Sequence, residues 1–268
     1  MRHVPLVLVA TLAWAFASAS RAQDISFTNS GLPAVSGLNG KFSLESGVEG
    51  TPGGSNALSI ASGSITMPLG HAFGLQVDGN GVTSDGLFGG GSTAHLFWRD
   101  PAIGLLGPYA TIEGGADGHV GWYGAEGELY AGLVTLGANA GYLDTAALTA
   151  AGAQSGGFYT GHLTGYPVPD LALTAGLRSI VGHVAATGGV EFQPTFGQQH
   201  NISLFVDAEA GAQSSYTVLA GLRIYFGSDK TLIRRHREDD PAANPDWGFT
   251  FEQMMQGLDH SNGNGWWD

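Results

Sequence analysis

Apolar and polar residues alternate with a period of two along most of this chain. In "FGLQVDG", Phe73, Leu75 and Val77 fall on one face and Gln76 and Asp78 on the other. The stretches "LALTAGLRS" and "NISLFVDAEAG" repeat the pattern. Successive side chains of a strand point to opposite faces, so this alternation predicts β-strands with one apolar and one polar face.

The alternation predicts about twelve strands, with ten as the alternative. They lie near residues 41–50, 57–67, 71–79, 89–99, 105–115, 118–128, 131–142, 155–164, 170–179, 182–193, 199–210 and 214–226. Connections such as "PLGH" and "YPVPD" are short and contain proline, whereas "NGVTSDGLFGG" and "LDTAALTAAGAQSGG" are longer, small and polar. This asymmetry is typical of outer-membrane barrels, which have short periplasmic turns and longer outer loops. We therefore expect an all-β fold, a closed antiparallel transmembrane β-barrel over residues 41–226.

Aromatic residues at predicted strand ends favour a membrane barrel over its alternative, a soluble secreted β-sandwich that binds or adheres. Trp98, Tyr166, Phe192, Tyr225 and Phe226 all lie next to the proposed periplasmic turns, where an interfacial girdle belongs. Closure would also remove the exposed strand edges that so many strands create.

The first 22 residues have the layout of a secretory signal peptide. Arg2 and His3 precede the apolar run "VPLVLVATLAWAF", and small residues follow in "ASASRAQD". We expect cleavage after Ala22, which leaves residues 23–40 as a leader before the barrel. Export and a barrel together predict the outer membrane of a Gram-negative bacterium.

Composition narrows the function classes. The chain has 44 glycines and no cysteine, which fits many short strands with glycine turns and excludes a disulfide framework. The formal net charge of −13 repels nucleic acid, so nucleic-acid binding is not expected.

The stretch "GLRIYF" resembles the last-strand signal of bacterial outer-membrane β-barrel proteins. Gly221, Ile224 and Phe226 match its glycine, hydrophobic and terminal aromatic positions. The resemblance implies a porin-like barrel that is surrounded by outer-membrane lipid and inserted by the barrel-insertion machinery. This chain departs from the pattern because it continues beyond Phe226.

Residues 227–268 are expected to form a periplasmic tail. Its block Arg234–Asp240, a basic run followed by an acidic run, predicts a solvated, self-paired charge segment, with a docking site for a periplasmic partner as the alternative. Further on, "TFEQMMQGLDH" predicts one short helix capped by Thr250.

The polar strand faces supply the candidate site. If the apolar faces meet lipid, acidic residues outnumber basic ones in the lumen, and an open pore would mildly prefer cations. The alternative is a structural envelope protein whose acids and arginines pair and fill a narrow interior. The candidate lumen-lining residues are Glu45, Asp78, Arg99, Glu113, Glu126, Glu128, Arg178, Glu191, Asp207, Glu209 and Arg223.

No catalytic, metal or cofactor site is predicted. An outer-membrane hydrolase that uses a histidine-activated serine would place the two residues at i and i+2, on one face of a strand. The sequence has no H-x-S, and the nearest match is His162 with Thr164. "DHSNGNGWWD" does not meet the spacing of a calcium loop from Asp259.

Overall fold

Twelve antiparallel strands form a single closed barrel. The computed structural model describes residues 31–51, 54–84, 86–115, 118–145, 155–195, 200–211 and 215–239. The strands are β1 Asn39–Thr51, β2 Gly54–Leu69, β3 Phe73–Ser84, β4 Leu87–Asp100, β5 Gly104–Gly115, β6 Gly118–Ala131, β7 Val134–Asp144, β8 Gly156–Val168, β9 Leu171–Ile180, β10 His183–Phe192, β11 Ile202–Gly211 and β12 Tyr216–Phe226. One helix, α1, follows at Leu232–Glu238.

The first and last strands pair with each other and close the sheet. Gly40 lies opposite Phe226 and Gly50 opposite Tyr216, and every other strand pairs with its neighbours in sequence. The predicted closed barrel and the count of twelve strands are confirmed. A two-layered β-sandwich, the alternative from sequence, is wrong.

Both described chain ends lie at one rim of the barrel, which we call the terminal end. The connections there are residues 70–72, 101–103, 132–133, 169–170 and 193–201. At the opposite rim, the far end, the connections are residues 52–53, 85–86, 116–117, 145–155, 181–182 and 212–215. Among the far-end connections, only residues 145–155 form a long one. The expected loop "NGVTSDGLFGG" is instead mostly strand, because β3 and β4 continue to a tight turn at Gly86, whose φ is +82°.

The outer surface of the barrel is apolar and its inner face is largely polar. On β11, for example, Leu204 and Val206 are exposed on the outside, while Ser203 on the inner face is fully buried. A closed barrel satisfies every strand hydrogen bond internally, so its surface can face hydrocarbon. The two faces therefore have the polarity that a bilayer requires.

Two apolar clusters fill the interior toward the far end, where a water-filled lumen would be polar. One consists of Tyr109, Val120, Trp122, Leu143, Phe158 and Ile180, and the other of Leu58, Ile60, Val82 and Leu219. We call them together the far-end layer. Trp122 is completely buried and packs edge-on against Phe158, with ring centroids 5.3 Å apart.

Two short segments cover the terminal mouth. Val35 of residues 31–38, the terminal segment, packs with Phe97, Leu105 and Tyr130 at the terminal ends of β4 to β6. A side chain at Gly74 would collide with Val35 and Phe97, so glycine permits this close approach. On the other side, Leu232 of α1 is fully buried with Tyr166, Ala172 and Tyr225.

Among the described residues, no helix is long and apolar enough to cross a membrane. The signal peptide predicted at residues 1–22 and the helix predicted around Phe251 lie outside the described residues.

Candidate functional site

A cavity of about 220 Å³, lined by apolar surface together with many polar and charged side chains, runs along one side of the barrel interior. It is bounded mainly by β7 to β12, with Lys41 of β1 and Glu128 of β6 added. At the terminal end it reaches Tyr166 and His236, and toward the far end it reaches Glu209 and Thr217. The cavity therefore follows much of the barrel's length.

Threonine hydroxyls form much of the cavity wall. Thr164 and Thr174 face each other across β8 and β9, with 2.9 Å between their Oγ1 atoms. The hydroxyls of Thr160 and Thr217 are buried without a hydrogen-bond partner. The full set lining the cavity is Thr135, Thr160, Thr164, Thr174, Thr187 and Thr217.

Two ion pairs cross the cavity wall. Arg178 of β9 donates to Glu209 of β11 at 2.5 Å, and both side chains are largely buried. Nearer the terminal end, Arg223 Nη1 donates to Glu191 Oε2 at 2.6 Å. The guanidinium of Arg223 also bonds Ser43 at 2.9 Å and lies over the ring of Phe205.

Glu191 is the centre of a dense hydrogen-bond cluster. Its Oε1 accepts from the hydroxyls of Ser203 at 2.5 Å and Tyr225 at 2.6 Å, in addition to the bond from Arg223 to Oε2. His236 Nε2, from helix α1, lies 3.7 Å from the same carboxylate. One buried carboxylate thus joins three strands of the wall to the helix at the mouth.

All eleven residues proposed from the sequence as lumen-lining lie on inward-facing strand positions, but they divide into two groups. One group lines the cavity and the other belongs to the filled side of the barrel. The cavity group is Glu128, Arg178, Glu191, Asp207, Glu209 and Arg223, and the remaining group is Glu45, Asp78, Arg99, Glu113 and Glu126.

The filled side is held by a histidine between two carboxylates. His95 is almost fully buried, with Nε2 at 2.9 Å from Asp78 and Nδ1 at 2.8 Å from Glu126. Gln76 donates to Asp78 at 2.8 Å and accepts from Thr66 at 2.8 Å. Tyr109 stacks on the imidazole. This network occupies the space that an open lumen would need.

Two inward-facing charged residues were missed by the sequence reasoning. Lys41 lines the cavity, and Glu49 is buried and accepts from Ser84 at 3.1 Å. Both share the inward parity of Glu45 on β1. The predicted strand 41–50 already contains both positions, so the alternation itself was a sufficient signal.

Helix α1 corrects the expectation of a solvated charge segment after residue 233. Arg235 is buried and donates to the carbonyl of His200, with its guanidinium 4.6 Å from the ring centre of Tyr225. Arg237 donates to the carbonyls of Gly132 at 2.8 Å and Val134 at 2.9 Å. The helix backbone and these arginines bind the turns of the terminal end, so most of the segment is docked.

Only the outer side of α1 fits the expected self-pairing. Arg234 is exposed and bonds Glu238 one helical turn later, at 2.8 and 2.9 Å. This hydrogen bond raises the pKa of Arg234. Burial alone would raise the pKa of Glu238, but the bonds from Arg234 and Lys230 outweigh it and lower that pKa. By contrast, burial against the barrel lowers the pKa of Arg237.

The terminal segment and the C-terminal helix are joined by one polar cluster. Lys230 Nζ donates to Ser36 at 2.7 Å and to Asp239 at 2.6 Å, and lies 3.1 Å from Glu238. Ser36 in turn donates to Asp239 at 2.6 Å. The two segments that cover the mouth therefore form one unit.

The aromatic girdle is only partly as expected. Trp98, Phe192 and Phe226 are exposed on the outer face near the terminal end, where lipid headgroups lie. Tyr166 and Tyr225 instead point inward and are buried against α1. Three residues match the last-strand signal of outer-membrane barrels. Ile224 and Phe226 face outward, and Gly221 faces inward. Their role in insertion stays a prediction.

No catalytic arrangement accompanies His162. His162 and Thr164 both line the cavity, but the Thr164 hydroxyl is bonded to Thr174. Within the described ranges, no group of three or more His, Cys, Asp or Glu residues is arranged to hold a metal ion.

Several solved porin structures have a similar fold. The KdgM porin aligns with a TM-score of 0.53 and 11% identity over 69% of this chain and 98% of that one. The same porin in complex with disordered oligogalacturonate gives 0.52 and 10% over 69% and 98%. The NanC porin gives 0.51 and 8% over 68% and 98%. No protein-family model matches the chain, and no curated protein matches it in sequence.

The fold, the apolar exterior and the polar interior define an outer-membrane β-barrel protein. The chain has the porin-like barrel fold, and a barrel of this kind lies in the outer membrane of a Gram-negative bacterium. Both predictions are confirmed. In bacterial barrels with an even number of strands both chain ends are periplasmic, so we propose that the terminal end is the periplasmic mouth.

Proposed function

We propose that the protein is a small passive channel with a mild preference for cations. The observation that carries this proposal is the cavity along β7 to β12, a path with many polar and charged side chains beside an otherwise filled interior. Its wall combines hydroxyls, which replace water around a permeating solute, with charges of both signs.

The cation preference rests on the balance of interior charge. Adding Glu49 and Lys41 to the eleven residues proposed from the sequence gives nine carboxylates against four cationic side chains on inward positions. Within the cavity itself the balance is closer, with Glu128, Glu191, Asp207 and Glu209 against Lys41, Arg178 and Arg223. We therefore expect weak selectivity and no strict exclusion of anions.

The size of the preference follows from one net negative charge in the cavity. The interaction energy between this charge and a monovalent ion about 8 Å away in water is about 0.5 kcal/mol. This energy raises the cation concentration and lowers the anion concentration each about twofold. The expected permeability ratio of potassium over chloride is then about 5.

The ligand of the KdgM porin argues for a difference in solute between that porin and this chain. The KdgM porin has been described with oligogalacturonate, which is a chain of negatively charged sugars. An interior with excess carboxylates repels such a polyanion. We therefore expect the solute of this chain to differ from that of the KdgM porin, although the fold is shared.

Reversal potentials in planar lipid bilayers under a salt gradient test this proposal. Asp207→Asn removes one cavity carboxylate and should bring the permeability ratio close to 1. Glu113→Gln is the matched control, because Glu113 is also inside the barrel but bonds Trp122 away from the cavity. Anion preference would refute the cation selectivity. Absence of conductance both in the wild type and in variants that release the C-terminal helix from the mouth would favour the structural envelope protein.

A further inference from the structure

We infer that helix α1 is a removable plug that closes the periplasmic mouth of the cavity. The inference rests on the proposed function, since it concerns how that path is opened. Residues 31–38 pack against the filled side of the barrel through Val35, and none of them is among the residues that line the cavity. Helix α1 lies under the cavity side, and His236 forms part of the cavity floor.

The plug is held at its rim by the turns of the barrel. Leu232 N donates to Asp170 at 3.1 Å and Ile233 N to the carbonyl of Pro169 at 3.0 Å, both in the β8–β9 turn. Arg235 bonds the β10–β11 connection at His200, and Arg237 bonds the β6–β7 turn. Helix α1 thus bridges three turns that surround the cavity mouth.

Contacts with the cavity wall add a connection to the interior. His236 Nδ1 lies 2.9 Å from the Tyr166 hydroxyl, while its Nε2 faces Glu191. The guanidinium of Arg237 lies 5.0 Å from the ring centre of Tyr130 and 5.7 Å from that of Tyr166. Of these side chains, His236, Tyr166 and Glu191 also line the cavity.

The plug's attachment is mainly polar, which makes it separable from the barrel. Leu232 is the one apolar side chain of α1 that is fully buried. Most other contacts are hydrogen bonds and ion pairs, for which water can substitute when the helix leaves. The connection from β12 contains Gly227, whose φ of +109° favours glycine, and only a few residues separate it from the helix. Opening therefore requires no strand of the barrel to break.

Arg237 and Arg234 provide a matched pair of variants. They lie three positions apart on the same helix, but Arg237 binds the barrel whereas Arg234 binds only Glu238 among the contacts described above. Arg237→Ala should release the plug. Arg234→Gln should leave it docked.

The measurement is thiol labelling of a single cysteine in the cavity. Because the chain has no cysteine, Thr187→Cys places one thiol on the cavity wall, and a small neutral maleimide reports its accessibility. When labelling requires plug opening, its rate follows the open fraction, so Arg237→Ala should accelerate it about tenfold. Arg234→Gln should change the rate less than twofold, which is within the ordinary scatter of surface substitutions.

A second variant keeps the test decisive if Arg237→Ala does not fold. Lys230→Met removes the bonds to Ser36 and Asp239 and should also accelerate labelling. Folding of each variant is checked by the mobility difference between boiled and unboiled samples on a detergent gel. Unchanged labelling in both folded variants would overturn the plug.

Labelling does not depend on ion conduction, so the two proposals fail separately. Accelerated labelling without any current in bilayers would support the plug and reject the channel. Current in the wild type with unchanged labelling would support the channel and overturn the plug. Accelerated labelling together with a larger conductance of Arg237→Ala supports both.

Discussion

Replacing Arg223 by methionine tests whether the ion pair with Glu191 stabilises the barrel from inside. Methionine keeps most of the hydrocarbon stem of arginine, so the substitution removes chiefly the guanidinium, which lies over the ring of Phe205. The substitution leaves the Glu191 carboxylate with its bonds from Ser203 and Tyr225 but without the guanidinium. The carboxylate then stays buried without its closest cation.

The magnitude follows from the burial of the pair. Breaking a fully buried ion pair by removing one partner costs about 3–5 kcal/mol. Both side chains keep roughly a tenth of their surface exposed, at 12% for Arg223 and 11% for Glu191. The adjoining cavity therefore gives partial solvation, and we expect a loss near the low end, about 3 kcal/mol.

The assay is urea unfolding in lipid vesicles, followed by tryptophan fluorescence. Three variants complete a thermodynamic cycle: Arg223→Met, Glu191→Gln, and both together. If the pair is coupled, the double variant should be more stable than the sum of the two losses predicts, by about 2 kcal/mol. Arg234→Gln, which breaks an exposed pair on α1, should cost less than about 1 kcal/mol.

A coupling energy below about 0.5 kcal/mol would refute this reasoning, since independent sites add to within that amount. It would mean that the cavity solvates both charges almost as well as water. The ion pair would then matter for the charge of the path and not for the stability of the wall.

Two further substitutions test the far-end layer and the outer surface. Trp122→Ala should lower the free energy of unfolding in urea by about 3–5 kcal/mol, because it removes the largest buried side chain of the layer. Any current should increase. An unchanged stability would show that the layer is loosely packed. Val206→Arg places a charge on the outer face near the middle of β11 and should cost about 2–4 kcal/mol, whereas Val206→Ala should cost far less. Equal losses for both Val206 variants would contradict a lipid-facing position.

The strands and their faces were predictable because alternation is a local property. Phe73, Leu75 and Val77 face outward and Gln76 and Asp78 inward, as their spacing requires. The same rule placed Arg178 and Arg223 inside without knowledge of their partners. The girdle assignment from strand-end position failed for Tyr166 and Tyr225, which turn inward toward α1, although Tyr225 already shares the inward parity of Arg223.

The sequence predicted the residue types of the candidate site but not their arrangement. The sequence indicates that acids outnumber arginines on the polar faces, but it does not tell which strands share a cavity. Pairings such as Arg178 with Glu209 join residues 31 positions apart, and Arg223 with Glu191 are 32 apart. They depend on strand register and on the curvature of the closed sheet, neither of which a local pattern records.

The sequence by itself determined the outward and inward faces and the acidic character of the interior, and it limited the strand count to about twelve or ten, since each follows from residue type and a period of two. Only the tertiary structure decided which part of the interior is filled and where the terminal segments dock. Trp122 and His95 fill one side because closure brings distant strands within contact of one another. Helix α1 occupies the mouth because closing the barrel gathers the turns that its arginines bind.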